Sequence, residues 1–303
     1  MSRRVRSYLT GALRVVERSA LFGPAVDWPE VHREADSVLK DAKQYTHTHD
    51  FLEEVLVRAG GRHSGLIRPG RRSQLSPEER AALGPPLPTG HVIESAAGPV
   101  AYLRVPRTSR ADPGVAGYIA AGEGVLRTLT AAGPRGWIVD LRANVGGNMW
   151  PMLAVACPLL PEGVLGHFED REGGYQEFGV RAGSAFLDHH QMAHLDAYAE
   201  FPRYDHAPIA VLVSRHTASA GEAVALAFHG RPGTGLIGTP TRGLTTSNIS
   251  HTLRDKLVMR ITKSYFADRH RIRCEGSIPV DQDLTGHGRS AAVDAGISWI
   301  AGS

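Results

Sequence analysis

Residues 211–228 read VLVSRHTASAGEAVALAF: an apolar run of strand character, a turn of small and polar residues, then a stretch that suits an amphipathic helix. Ser219 falls where that helix begins. A hydroxyl there lies beside unpaired backbone N–H groups and the positive end of the helix dipole, where an oxyanion is stabilised without reorganisation. Its small neighbours Ala218, Ala220 and Gly221 leave room for a substrate backbone. The same place also suits a serine that only caps the helix, and the turn by itself favours that plainer reading. The turn is not a G-x-S-x-G elbow, so nothing supports an α/β-hydrolase.

Working outward, residues 137–148 (WIVDLRANVGGN) form a second buried-strand pattern that ends in a polar turn, where Gly146 and Gly147 permit close backbone approach. Short β-like runs at 100–105, 136–141, 209–214 and 236–238 alternate with helical patterns at 114–132, 149–160 and 219–229. This alternation predicts an α/β fold with a largely parallel sheet flanked by helices. Residues 165–180, broken at Glu172-Gly173-Gly174, read as a projecting hairpin beside which an extended peptide could pair. A second antiparallel set is expected from 249–253, 257–266 and 271–274.

The amino-terminal part reads as helical. Val5, Leu9, Leu13 and Val16 share one face, a second helix follows Asp27 with Pro29 in its first turn, and a third is capped by Asp50 and stopped by Gly60-Gly61. The expected organisation is a helical subdomain at 1–63, a Pro- and Gly-rich linker at 64–90, and an α/β core at 91–303.

A chain of 303 residues with 42% apolar and 21% charged side chains has enough apolar material for a large core and is not disordered. Its formal charge of +3 is spread along the sequence, and the cluster Arg68, Arg71 and Arg72 is too short for a polyphosphate footprint, so no nucleic-acid partner is expected. Cys157 and Cys274 lack metal or disulfide spacing, which fits a reducing compartment. Arginines at 3, 4, 6, 14 and 18 interrupt the first apolar pattern, so neither a signal peptide nor a spanning helix is read there. A cytoplasmic protein without a membrane partner is expected.

The pairing of DLRANVGGN (140–148) with TASAGE (217–222) resembles the tail-specific, or C-terminal-processing, and tricorn-core serine peptidase family. The resemblance runs from about residue 8 to 284, and NMWPML (148–153) and YFAD (265–268) are similar to its nisin-resistance-type branch. It implies a crotonase/ClpP-like core, Ser219 as nucleophile, and an oxyanion hole from the N–H groups of Gly146 and Ala220. It also implies that Asp140 and Arg142 pin the turn. One branch takes its base from a lysine ending G-x-x-T-x-G-K, but residues 238–244 read GTPTRGL, and Leu244 cannot accept a proton. Lys263 lies at the wrong offset and reads as a surface residue. The other branch uses a histidine after an amino-terminal helix, and LVRAGGRHSG (56–65) matches that pattern, which makes His63 the candidate base. Glu275, in CEGSIPVD (274–281), resembles that branch's orienting glutamate. No segment resembles a PDZ domain.

The expected activity is therefore hydrolysis of peptide or unfolded-protein substrates through an acyl-enzyme, with a homo-oligomer allowed. Two alternatives stand beside it: a catalytically inactive peptide- or ligand-binding module on the same fold, and a hydrolase of small esters or amides. His190 and His194 lack the glutamate of a zinc-peptidase motif, His47 and His49 precede a helix where capping and solvation account for them, and residues 230–235 are no phosphate loop. No metal and no cofactor are expected.

Overall fold

The computed structural model describes residues 2–68, 86–108, 114–288 and 290–303. In chain order its helices are α1 (Arg3–Ser19), α2 (Trp28–Asp41), α3 (His49–Gly60), α4 (Gly114–Ala131), α5 (Met149–Ala156), α6 (Ala220–Phe228) and α7 (Ala291–Ala301). The strands are β1 (Gly65–Ile67), β2 (Thr89–Ile93), β3 (Val100–Arg104), β4 (Gly136–Asp140), β5 (Gly163–Asp170), β6 (Tyr175–Arg181), β7 (Ser184–Leu187), β8 (His190–His194), β9 (Ile209–Val213), β10 (Thr234–Gly238), β11 (Thr246–Thr252), β12 (Val258–Asp268) and β13 (Gln282–Asp283). They divide between two compact units, one built from residues 1–79, 169–174 and 246–265, the other from 80–168, 175–245 and 266–303.

In the first unit the apolar stripe of α1 is fully used: Val5, Leu9, Leu13 and Val16 are buried together with Leu52, Val55 and Leu56 of α3 and Met259 and Ile261 of β12. Asp27 caps α2 by accepting from Glu30 N at 3.0 Å, with Pro29 in the first turn. The third helix begins two residues earlier than a cap at Asp50 implies. Thr48 holds the N-cap position and Asp50 lies in the first turn, where its carboxylate complements the helix dipole. Gly61, at φ +67°, ends the helix in the left-handed region. Both β11 and β1 pair antiparallel with β12. The segment read as a linker lies mostly outside the described residues, and its two described ends carry β1 and β2.

The second unit holds a six-stranded sheet in the order β13-β10-β9-β4-β3-β2, parallel throughout except at β2. Alternate residues of each central strand serve opposite faces. Trp137, Val139, Val211 and Val213 enter the core shared with α4, α5 and α6, while Ile138, Ala210 and Leu212 pack with Ala292 and Ile300 of α7. Covering both faces is what a parallel sheet requires. The carboxyl ends of β4 and β9 therefore open on one edge, and each is followed by a turn and a helix.

The hairpin expected at 165–180 forms from β5 and β6 and is extended by β7 and β8 into a meander. Residues 271–274 make only an isolated bridge, Arg273 with Ala267, because Asp268 already turns the chain by accepting from His270 N and Ile272 N.

Candidate active site

Ser219 stands between β9 and α6 with φ +52° and ψ −117°, a backbone region that a residue with a Cβ occupies only when its surroundings hold it there. Glu222 supplies much of that hold. Its side chain is fully buried and accepts four hydrogen bonds: from Ser219 N (2.7 Å) and Leu244 N (2.8 Å) on one oxygen, and from Thr241 Oγ1 (2.6 Å) and Gly243 N (2.7 Å) on the other. Burial pushes its pKa up, and the four donors oppose that shift. Sequence reading passed over Glu222, although the spacing Ser219-x-x-Glu222 is the capping-box signature and is the signal that points to it.

The turn after β4 is tied to the same place. Asn144 is buried. Its backbone oxygen accepts from Ala218 N at 3.0 Å, its Nδ2 donates to Val105 O at 3.0 Å, and its Oδ1 accepts from Gly146 N at 3.0 Å. Gly146 sits at φ +105°, and a Cβ there would lie 3.0 Å from Ser219 Cβ and 3.0 Å from Ala218 O. Glycine is required on both counts. Ser219, Gly146 and Ala220 are thus brought into one cluster. As the first residue of α6, Ala220 has an N–H without an intrahelical acceptor, whereas the Gly146 N–H is engaged by Asn144.

Asp140 and Arg142 pair as expected: Arg142 N and Nε reach Asp140 Oδ1 at 2.9 and 3.0 Å, a terminal nitrogen reaches Oδ2 at 2.7 Å, and Tyr102 adds its hydroxyl. Burial would raise the Asp140 carboxyl, but the hydrogen bonds from Arg142 and Tyr102 prevail and hold it below the usual carboxylate range. Ser214 Oγ donates to Arg142 O at 2.6 Å and Thr217 Oγ1 to Leu141 O at 2.9 Å, so two threads of hydroxyl bonds join the β4 and β9 turns.

His63 belongs to the first unit, in a one-turn 3₁₀ helix (Gly61–His63) directly after α3. Its side chain is buried, with Nδ1 2.8 Å from Thr246 Oγ1. With Nδ1 donating to that oxygen, Nε2 carries the lone pair. Burial, reinforced by the positive charges of Arg260 and Arg62, lowers the imidazole pKa to about 4. The ring is therefore neutral at neutral pH. The contact to Nδ1 comes from Thr246, which sequence reading passed over. The Glu275 side chain is 72% exposed and faces Arg273 at 3.5 Å.

Lys263 is exposed on β12. His190 and His194 lie at the two ends of β8, about 13 Å apart at strand rise, too far to share one ion. His49 does more than precede a helix: its Nε2 lies 2.8 Å from Asp255, which also accepts from Tyr8 at 3.0 Å.

A strained serine turn at a helix amino terminus, fastened to a Gly-Gly turn on the adjacent parallel strand, sets a hydroxyl beside backbone N–H groups on an α/β fold. The model of peptidase family S41 matches residues 99–284, and the chain belongs to that family, which places it in the serine peptidase class. It is similar to the nisin-resistance protein of Lactococcus lactis subsp. lactis, 26% identical over 298 residues that span 97% of this chain and 86% of that one. Among solved structures, a lipoprotein from Streptococcus agalactiae superimposes with a TM-score of 0.76 and 25% identity, covering 98% of this chain and 96% of that one. The photosystem II D1 C-terminal processing protease shares the fold at a TM-score of 0.60 and 15% identity, with 94% of each chain covered. Among the described residues, no helix is long and apolar enough to cross a membrane.

Proposed function

We propose that this chain is a serine endopeptidase in which Ser219 is the nucleophile and His63 the general base. The observation that carries the reading is the left-handed conformation of Ser219, held by buried Glu222 at the amino end of α6. Strain of this kind persists where the surroundings enforce it, as at a nucleophile that must face substrate. In the proposed cycle His63 Nε2 takes the Ser219 Oγ proton as Oγ attacks the scissile carbonyl. The ring then gives that proton to the leaving amine, and water hydrolyses the acyl-enzyme with His63 again as base.

Ala220 N–H holds the developing oxyanion, and Gly146 N–H joins it by exchanging Asn144 Oδ1 for the substrate oxygen. Apo sites often show such catalytic hydrogen bonds unmade or long. The bond from Gly146 to Asn144 is also what a binding module without catalysis would carry, so that second reading has a specific observation behind it.

Labelling with a fluorophosphonate probe separates them. The peptidase reading expects the wild-type chain to react and Ser219→Ala and His63→Ala to remain unlabelled. A wild-type chain that stays unlabelled, with peptide binding intact, selects the binding module. Peptide and simple ester libraries assayed side by side test the substrate class, and ester turnover without peptide turnover removes the peptidase assignment.

A further inference from the structure

The carboxyl ends of β3, β4, β9 and β10 border a cleft of about 800 Å³ that the catalytic groups leave unused. Its lining residues include one carboxylate, Asp140, which is taken up by Arg142 and Tyr102. The remaining charge is cationic. Arg104 at the end of β3 and Arg215 just beyond β9 are both exposed, and neither guanidinium has a hydrogen-bond or ion-pair partner among the described residues. His287 also faces the cleft.

Geometry lets the two arginines act on one group. In the strand order β9-β4-β3 the register sets Arg104 level with Leu212, two interstrand spacings or about 10 Å away, and Arg215 follows three residues further along the chain, so the two long side chains approach a shared group from separate walls of the cleft. Arg104 follows the alternation of β3, in which Leu103 enters the helix-covered core and Tyr102 faces the cleft, so Arg104 shares the side of Tyr102. Ser290 and Ala292, at the amino end of the 11-residue α7, close another wall and add the positive end of that helix. Val145, 51% exposed, and Leu284 supply apolar surface for the stem of a ligand with an anionic head.

We propose that this cleft binds a carboxylate of the peptide substrate between Arg104 and Arg215. A peptide is the fitting occupant because the cleft and the nucleophile share their walls. Val145 immediately precedes Gly146, and His216, another lining residue, is three residues from Ser219, which bounds their Cα separation at about 11 Å. About three extended residues span that distance. Guanidinium groups match a carboxylate in shape and charge, and two of them are too few for a polyphosphate chain. The identity of the occupant rests on the peptidase reading, whereas its binding is independent of turnover. The carboxylate is either the substrate's own carboxyl terminus or an acidic side chain.

The test uses the full chain carrying Ser219→Ala, so that binding is read without hydrolysis. Three fluorescein-labelled peptides of one apolar sequence are compared by anisotropy at low salt: a free carboxyl terminus, an amidated terminus, and an amidated terminus with an internal aspartate. Binding of the free acid at least five-fold tighter than the amide supports the proposal with the terminus as source. Tight binding of the aspartate peptide supports it with a side chain as source. In either case Arg104→Gln combined with Arg215→Gln abolishes the preference, the corresponding Lys pair restores part of it, and 0.5 M salt weakens it. Equal binding of all three peptides, a preference that survives the double Gln variant, or no binding by either carboxylate-bearing peptide overturns the proposal. Fluorophosphonate labelling of the chain with Ser219 intact reports on the peptidase reading separately, so the two fail in distinguishable ways.

Discussion

The Ser219 turn and the His63 turn are built on different principles. Ser219 is held by a buried carboxylate with four donors and by an asparagine that binds backbone in three places, nearly all of it main-chain geometry. His63 is held by one side-chain hydroxyl, Thr246, with the Ser64–Thr262 pair beside it. The first arrangement leaves the backbone no second conformation. The second leaves the ring's position dependent on a single contact, while burial and the nearby Arg260 and Arg62 lower its pKa. In the proposed mechanism a strained nucleophile needs the former, whereas a base that passes a proton back and forth needs only orientation and a neutral ground state.

Four measurements break or sharpen this contrast. The largest effect is expected from Ser219→Ala and His63→Ala, each lowering kcat/KM by about 10⁴-fold or more, with the double variant no worse than either single one because the two act as a unit. Additive losses in single-turnover assays would mean that the two groups do not share a step.

Next, Glu222→Ala leaves four buried donors without their acceptor and is expected to destabilise the fold by about 3–5 kcal/mol in denaturant titrations. A loss below about 1 kcal/mol would show that Ser219 is not held as described.

The pH dependence follows. The folded His63 pKa of about 4 lies below the ordinary value of 6.5, so between those values the unfolded chain takes up a proton that the native one refuses. This contribution is intact above pH 6.5, is lost as pH falls toward 4, and changes no further below that, amounting to about 3 kcal/mol at most. Comparing stability against pH for the wild type and His63→Gln isolates it, the variant lacking that part of the slope. The acid limb of kcat/KM is likewise expected near pH 4 and not near 6.5.

The smallest effect is expected from Thr246→Val, which frees the imidazole tautomer: kcat falls about tenfold with KM unchanged, and Thr246→Ser recovers most of it. A variant that changes only thermal stability would make Thr246 a packing residue.

Sequence patterns were most informative where the requirement is local. The parallel strands were legible because Trp137, Val139, Val211 and Val213 must be apolar on one face and their neighbours apolar on the other, and the three helices of the first unit because their stripes and stop signals lie within a few residues of each other. Less visible were β1, β7 and β8, each five residues or fewer, with Gly in β1, and His and Gln in β8, where a strand pattern wants apolar alternation. Glu275 was legible only as a resemblance, and its exposure beside Arg273 gives it a different neighbour.

By itself, the amino-acid sequence determined the α/β class, the two glycine- and serine-bearing turns and the family to which they belong, since each depends on residues adjacent in the chain and on the backbone angles they permit. Only the tertiary structure decided that Glu222 anchors residues 241–244, that Thr246 reaches His63 across 183 positions, and that Arg104 and Arg215 border one cleft. Hydrogen bonds between distant loops leave no periodicity in the sequence, because a single donor and acceptor constrain only their own two positions.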